Sequence, residues 1–502
     1  MLRKLASVSG FTLLSRLTGF ARDALLAWTL GGGILADAFF VAFIFPNNFR
    51  NIFGEGTINP AFLPRYAALR ARGEDQAAAK FANEIFAWQM AAQIVLLALA
   101  TIFMPQIIGV LASGWSNDPA RLELTVRLAR ITFPYLILTL VAVQLSAMLN
   151  AIEKYWAAAA WSNFQNLAMI ATLTAWHWFP NAAYAAAWGV TLGGVAQLIF
   201  ILWAGAREGL WLSFTWPRWS PQVAEFFKAF GAVTIGATSS VISPFIDTLL
   251  ASWLPVGSRT ALYYGDRINQ LPLGVLGAAL GTVLLPEMSA RLAKGDTSGS
   301  HTAQNRSAAM SLLLTLPFMI AFIVIPDTIM SAYLAHGAFR HDAAAAAAAA
   351  LMAYGIGLPA MAMVRIVSST FYARHDTMTP VRATLTAFTI NIAAKLFFVW
   401  GLHMGVAGIA LGTAIGAWTN VAILVWLGRS RDLLAIEKIF VQALPAALLA
   451  AAACGAGAWL GANLLKAHGD VVALAAAILL AGLGYGAMLF LFRNRLPIRR
   501  LA

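Results

Sequence analysis

The 502-residue chain is 60% hydrophobic and only 11% charged, with a mean hydropathy of +0.74, which is far more apolar than a water-soluble domain and excludes one. Its single cysteine, Cys454, excludes an internal disulfide and every multi-cysteine metal site. The excess of 34 Lys and Arg over 21 Asp and Glu gives +13; in a membrane protein this signals topology rather than nucleic acid, because basic residues collect in cytoplasmic connections.

The N-terminus, MLRKLASVSGFTLLSRLTGFARDALLAW, starts like a signal peptide, but Arg16, Arg22 and Asp23 interrupt its apolar stretch and no A-x-A site follows. It reads as a retained first span, ended by the glycines at 31–33. Apolar windows of spanning length follow at 35–53, 79–104, 123–148, 156–179, 184–206, 229–254, 260–285, 307–330, 344–371, 380–401, 406–428, 439–462 and 471–492. The expectation is an all-α polytopic membrane protein with 14 transmembrane helices. Continuous apolar runs, rather than ten-residue alternation, exclude a β-barrel. Between windows, AFLPRYAALRARGEDQ and ARLAKGDTSGSHTAQNR read as surface helices or connectors, and the alanine tract at 343–350 as the start of a helix. Alternate connections hold most of the Lys and Arg, among them Arg65, Arg70, Arg72 and Lys80, so both termini are expected in the cytoplasm.

The chain repeats itself about 220 residues on. Asp23-ALLAWTL-Gly31 pairs with Asp247-TLLASWL-Pro255, Phe62-Leu-Pro64 with Leu284-Leu-Pro286, Pro134 and Asn166 with Pro359 and Asn391, and Gly189-VTL-Gly193 with Gly408-IAL-Gly412. The unit is six helices, an even number, so the two copies enter from the same side as parallel repeats around a central cavity. This predicts an N-lobe at 1–210, a C-lobe at 211–430 and two additional helices at 431–502.

No HExxH, GxSxG or Walker A lysine is present and the seven histidines are scattered, so the sequence does not advertise an enzyme. It does advertise arginine at membrane depth: Arg16, Arg22, Arg50 and Arg267, with Arg365 and Lys395 also inside windows. Each charge at a helix centre costs about 2.5–3.5 kcal/mol on the insertion scale, which asks for a polar cavity or for ion pairs with Asp23, Asp37, Glu55 and Asp266. Arg16 and Asp23, seven apart, share a helix face; Arg16 and Arg22, six apart, diverge, and Thr18-Gly19 offers a place to deform. Pro46 is expected to kink the second span one turn before Arg50. Guanidinium groups remain charged and bind two phosphate oxygens at once, so such a cleft suits a diphosphate and repels a cationic drug.

The stretches SRLTGFARDALLAWTLGGGILADAFFVAFIFPNNFRNIFGEGTINPAFLP and YYGDRINQLPLGVLGAALGTVLLPEMS resemble the MurJ (MviN) family of lipid II flippases in the MOP exporter superfamily. The resemblance covers essentially the whole chain. It implies MOP/MATE-like lobes and outward transfer, by alternating access, of the undecaprenyl-diphosphate-linked peptidoglycan precursor across the bacterial inner membrane, without bond chemistry or cofactor. Carried over by motif, Arg16, Arg22, Arg50 and Arg267 hold the diphosphate and sugar head group; Asp23, Asp37, Glu55 and Asp266 balance or gate them. The last two helices supply a groove for the polyprenyl tail. Asn51 stands where some members carry a second arginine. Asp247, with Asp376 and Asn391, resembles a cation site of some relatives, and local helix packing accounts for these residues equally well; coupling to a monovalent cation or to the membrane potential is the corresponding expectation. Partners implied are lipid II, membrane lipids and the peptidoglycan synthesis machinery, with the chain a monomer and no nucleic acid bound. The alternatives are a flippase for another polyprenyl-diphosphate glycan, a MATE-type multidrug exporter of about twelve helices, and a polyprenyl-linked glycan polymerase, which would need a long outer loop bearing an acid or base.

Overall fold

The computed structural model describes residues 2–50, 58–281 and 284–493. Among them there is no strand, and the helices are α1 (Leu2–Leu30), α2 (Ile34–Arg50), α3 (Asn59–Ala71), α4 (Asp75–Leu111), α5 (Pro119–Thr132), α6 (Tyr135–Ala151), α7 (Tyr155–Thr174), α8 (Ala182–Arg207) and α9 (Pro221–Ser252). They continue as α10 (Ser258–Gly281), α11 (Leu284–Ala293), α12 (Thr297–Val324), α13 (Pro326–Leu334), α14 (His341–Tyr372), α15 (Met378–Leu396), α16 (Gly405–Ser430), α17 (Lys438–Leu464) and α18 (Asp470–Leu491).

Over the described residues, each of the fourteen apolar windows falls largely on helix. Among the described residues nine spans are long and apolar enough to cross a membrane: α4, α5 with α6 across the break at Pro134, α8, α12 and α14 to α18. Of the longer helices on the apolar windows, those that fall short of that measure are α1, α2, α7, α9 and α10. Two of them hold charge within the window, Arg16, Arg22 and Asp23 on α1 and Asp266 and Arg267 on α10, while α2 has only 17 residues. The expected amphipathic segment at 61–76 is α3 and the start of α4, and the alanine tract opens α14.

Helix ends follow local chemistry. Gly31, at φ +67°, ends α1 in the left-handed region open to glycine. Asn181 caps α8 by accepting from the N–H groups of Ala183 and Tyr184, Asp118 caps α5 through Arg121 N–H, and Ser220 caps α9 through Val223 N–H.

The chain divides into two compact units, Met1–Arg259 with Gly337–Phe339, and Thr260–His336 with Arg340–Ala502. In the first, α7 packs along α8 and α1, and α6 on α8. In the second, α15 packs along α16 and α14 on α16, while α17 and α18 pair with each other, α17 against α12 and α18 against α13. The neighbour relations of α6, α7 and α8 thus recur in α14, α15 and α16. Helix α9, which begins the second copy of the sequence repeat, belongs with the first unit and lies against α2, α3 and α4.

Glycine sets the spacing in both copies. A side chain at Gly189 or Gly193 of α8 would collide with Met169 or Gln165 of α7, and one at Gly412 or Gly416 of α16 would collide with Lys395 or Asn391 of α15. Without a Cβ, backbones approach closely, which is how membrane helices gain dispersion contact.

A candidate anion site and the family of the chain

Helices α1 and α7 are joined by a polar seam. Arg22 donates from Nε and Nη2 to Asp23 Oδ1, at 2.9 and 2.6 Å, and from Nη1 to Asn166 Oδ1 at 3.0 Å. Asn166 in turn donates to the Ser15 carbonyl and to Thr18 Oγ1, both at 3.1 Å. Ser15 and Ser162 hydroxyls lie 3.0 Å apart, and Asn163 donates to the Ala160 carbonyl at 3.1 Å. Asp23 is fully buried and Arg22 nearly so. Adjacent residues on a helix ordinarily point apart; the length of the arginine side chain lets Arg22 fold back onto Asp23 and still reach α7 with its outer nitrogen.

Arg16 occupies different ground. It lines a cavity of about 330 Å³ together with Thr12, Ser15, Ser146, Asn150 and Ser162, among others from α6 and α7. Ser146 Oγ and Asn150 Oδ1 are buried there with no hydrogen-bond partner among the described residues, so a positive guanidinium faces polar groups with capacity to spare. α1 runs unbroken through Thr18-Gly19; Arg22 is not among the residues lining this cavity. Arg50 closes the last turn of α2, half-buried, with Pro46 inside the same helix. Glu55 lies outside the described residues.

Asp37 has a role that the sequence did not foretell. Its Oδ2 accepts from Arg121 Nη2 at 2.5 Å and from the Gly257 backbone N–H at 2.7 Å. Both side chains are buried, at 1% and 5% exposure, and the guanidinium of Arg121 sits 3.6 Å over the Trp115 ring. Asp37 therefore ties the start of α2 to the start of α5 and to the connection after α9. Nearby, the Ala338 N–H donates to the Trp28 carbonyl at 2.9 Å, and Gly337, at φ +61°, lies against Trp28.

In the second unit Arg267 and Asp266 are half-buried on α10, and Gln270 donates to Asp266 Oδ2 at 2.5 Å. Gly265 lets α10 meet α14, since a Cβ there would stand 2.9 Å from that of Ala350. Asp376 accepts from Thr379 N–H and Oγ1, at 2.9 and 2.7 Å, with Arg431 at 3.4 Å. The Thr379 hydrogen bonds hold its carboxyl below the usual carboxylate range, with Arg431 assisting. Asn391 lies buried on α15 thirteen residues beyond Met378, about 20 Å along the helix, so Asp376 and Asn391 do not share a cation. Asp247 is half-buried on α9, Arg365 is exposed on α14, and Lys395 is 1% exposed against α16. No group of three or more His, Cys, Asp or Glu able to hold a metal occurs among the described residues.

Residues 26–480 match the family model described as lipid II flippase MurJ. The chain belongs to the MurJ family. A probable lipid II flippase MurJ of Rhizobium meliloti is 37% identical over 481 residues, covering 93% of this chain and 89% of that protein. The lipid II flippase MurJ of Burkholderia cenocepacia is 30% identical over 466 residues, covering 90% and 89%. Among solved structures, a MurJ in an inward closed conformation superposes with a TM-score of 0.80 at 24% identity, over 97% of this chain and 99% of that one. An inward-facing multidrug-resistance MATE transporter of the MOP superfamily superposes with a TM-score of 0.70 at 15% identity, over 85% and 98%. The MurJ fold and the MOP architecture are thus shared across the chain, and the family is one of transporters rather than catalysts.

Nothing in the sequence pattern singles out Arg121, which pairs with Asp37, or Ser162 and Asn163 of α7. Asn166 stood out as a repeat anchor, without the contact to Arg22 that gives it a function.

Proposed function

We propose that this chain is a lipid II flippase of the bacterial inner membrane, carrying the undecaprenyl-diphosphate-linked peptidoglycan precursor from the cytoplasmic to the periplasmic leaflet by alternating access. Membership of the MurJ family supports the substrate, and the observation that carries the chemistry is the pair Arg16 and Arg22 on one membrane helix, oriented by α7. In this reading fourteen helices span the membrane with both termini cytoplasmic. The lobes are 1–210 and 211–430, and 431–502 receives the polyprenyl tail while the head group crosses.

No bond is made or broken. Guanidinium groups of Arg16, Arg22, Arg50 and Arg267 replace water around the diphosphate oxygens; Ser15, Ser162, Ser146 and Asn150 offer hydroxyl and amide groups for further oxygens and sugar hydroxyls. Asp23 holds the folded-back Arg22 in place beside α7 and prevents the site from holding its anion too tightly for release. A membrane potential, negative inside, favours outward movement of an anionic head group by about 2.3 kcal/mol per charge per 100 mV, so it supplies drive without a dedicated cation site. The chain acts as a monomer delivering substrate to the peptidoglycan synthesis machinery. A cationic drug would meet these arginines as repulsion, which disfavours a multidrug exporter despite the shared fold.

The experiment is complementation at native expression in cells depleted of their own flippase. Arg16→Ala, Arg22→Ala, Arg50→Ala and Arg267→Ala are each expected to insert normally and fail to support growth; normal growth with all four would overturn the reading.

A further inference from the structure

Between α8 and α9 the chain runs without helix from Leu210 to Ser220, in the sequence LWLSFTWPRWS. Four large aromatic side chains project from this strap: Trp211, Phe214, Trp216 and Trp219 are 61%, 61%, 81% and 64% exposed. Exposed aromatic surface at this density is uncommon and marks an interaction site.

The strap is not loose. Ser213 N–H donates to Asn83 Oδ1 at 2.9 Å, Trp88 Nε1 donates to the Arg218 carbonyl at 3.0 Å, and Ser220 Oγ donates to Glu84 Oε2 at 2.7 Å. Trp219 stacks on Phe227 of α9 and meets Trp88 of α4 edge-on, both with ring centres 5.6 Å apart. It is thus fixed along α4 between residues 83 and 88.

That position sets its depth. α4 has 37 residues, about 55 Å of helix, whereas the hydrocarbon core is about 30 Å thick. Residues 83–88 lie roughly 12–20 Å from its start and straddle Glu84, the last charge before the uncharged stretch 85–111, so the strap is level with the head groups. Tryptophan favours this zone because its ring is apolar and its N–H remains hydrated.

Charge adds selectivity. Lys80, Arg207, Arg218 and Lys228 are exposed on α4, α8, the strap and α9. The acids on the same elements are engaged: Glu84 of α4 by Ser220, Glu208 after α8 by Lys154 at 2.8 Å, and Glu225 of α9 by Arg65. A set of cations beside exposed aromatics matches a surface of anionic phospholipid.

We propose that residues 210–220 form an in-plane anchor seated in the head-group layer of anionic phospholipids on the side where the basic connections lie. It holds the ends of α4, α8 and α9 at a fixed depth. The inference stands independently of which lipid-linked cargo the protein carries.

The test uses the full chain with Cys454→Ala, so that one introduced cysteine can carry a bimane fluorophore. Trp216→Cys reports the strap, Trp211→Cys serves if that variant fails to fold, and Lys294→Cys, on the exposed turn after α11, reports water. Each is placed in nanodiscs of phosphatidylcholine with and without phosphatidylglycerol. The strap label is expected to be quenched by nitroxide near the lipid head group and shielded from iodide, with the Lys294 label showing the reverse. Nitroxide on phosphatidylglycerol should quench the strap label several-fold more than nitroxide on phosphatidylcholine, and Arg218→Gln with Lys228→Gln should remove that preference. A strap label that iodide reaches as freely as the Lys294 label overturns the proposal. So does one shielded from iodide yet untouched by nitroxide lipid, since a protein would then cover the strap, and so does equal quenching by the two lipids, which would leave no anionic selectivity.

Discussion

Replacing Asp37 with alanine removes one partner from a buried ion pair. Asp37 and Arg121 are 1% and 5% exposed, and the carboxylate also takes the Gly257 N–H. Losing one member of such a pair costs about 3–5 kcal/mol, because the remaining charge stays buried and uncompensated. Arg121 retains its place over Trp115, which offsets a part of this, while the abandoned Gly257 N–H adds to it. Asp37→Ala is therefore expected near the middle of that range, and so is Arg121→Met, where the buried carboxylate keeps the Gly257 N–H while the contact over Trp115 is lost. Asp37→Leu combined with Arg121→Met removes both charges and should recover to within about 2 kcal/mol of the parent, since apolar replacements of a buried pair are often neutral. The assay is equilibrium unfolding in dodecylmaltoside with increasing SDS, followed by tryptophan fluorescence, completed as a double-mutant cycle. Single variants within about 0.5 kcal/mol of the parent, or a double variant as unstable as the sum of the singles, would refute the argument.

Other expectations follow from the packing and the loops. Gly412→Ala should destabilise by about 1–3 kcal/mol through overpacking against Lys395, whereas Gly482→Ala, with nothing within 4 Å, should be neutral or slightly stabilising in the same unfolding assay. The Asp376 carboxyl is held below its ordinary value of 3.8 by Thr379. Its contribution to stability is therefore complete above that value and is lost as the pH falls through the lower, folded-state pKa. Acid unfolding of Thr379→Ala should show a weaker loss in this window; an unchanged profile would contradict the assigned cause.

Much of the fold was legible because a bilayer demands long apolar helices, and that demand is written locally. The glycines at 189, 193, 408 and 412 were legible as a repeat, and each proves to be where α8 or α16 approaches its neighbour. Arg16 and Arg22 were legible because charge within an apolar window is costly. Partner choice was not. Asp37 was grouped with the arginines closest in sequence, yet it pairs with Arg121, 84 positions away, and nothing local encodes that contact. Similarly, the repeat assigns α9 to the second copy, while packing against α2, α3 and α4 sets it with the first unit. Sequence similarity records ancestry of the segment; contact depends on where its faces are buried. The strap at 210–220 falls between the windows that end at 206 and begin at 229, and its meaning comes only from the hydrogen bonds that fix its level on α4.

The most direct test of the central claim is the fate of lipid-linked peptidoglycan precursors when this protein is depleted. Intact lipid II should accumulate in the cytoplasmic leaflet, inaccessible to an enzyme added from outside that cleaves it, and should become accessible when the protein is restored. Lipid II that remains accessible from outside throughout depletion, with peptidoglycan synthesis undiminished, would contradict the account.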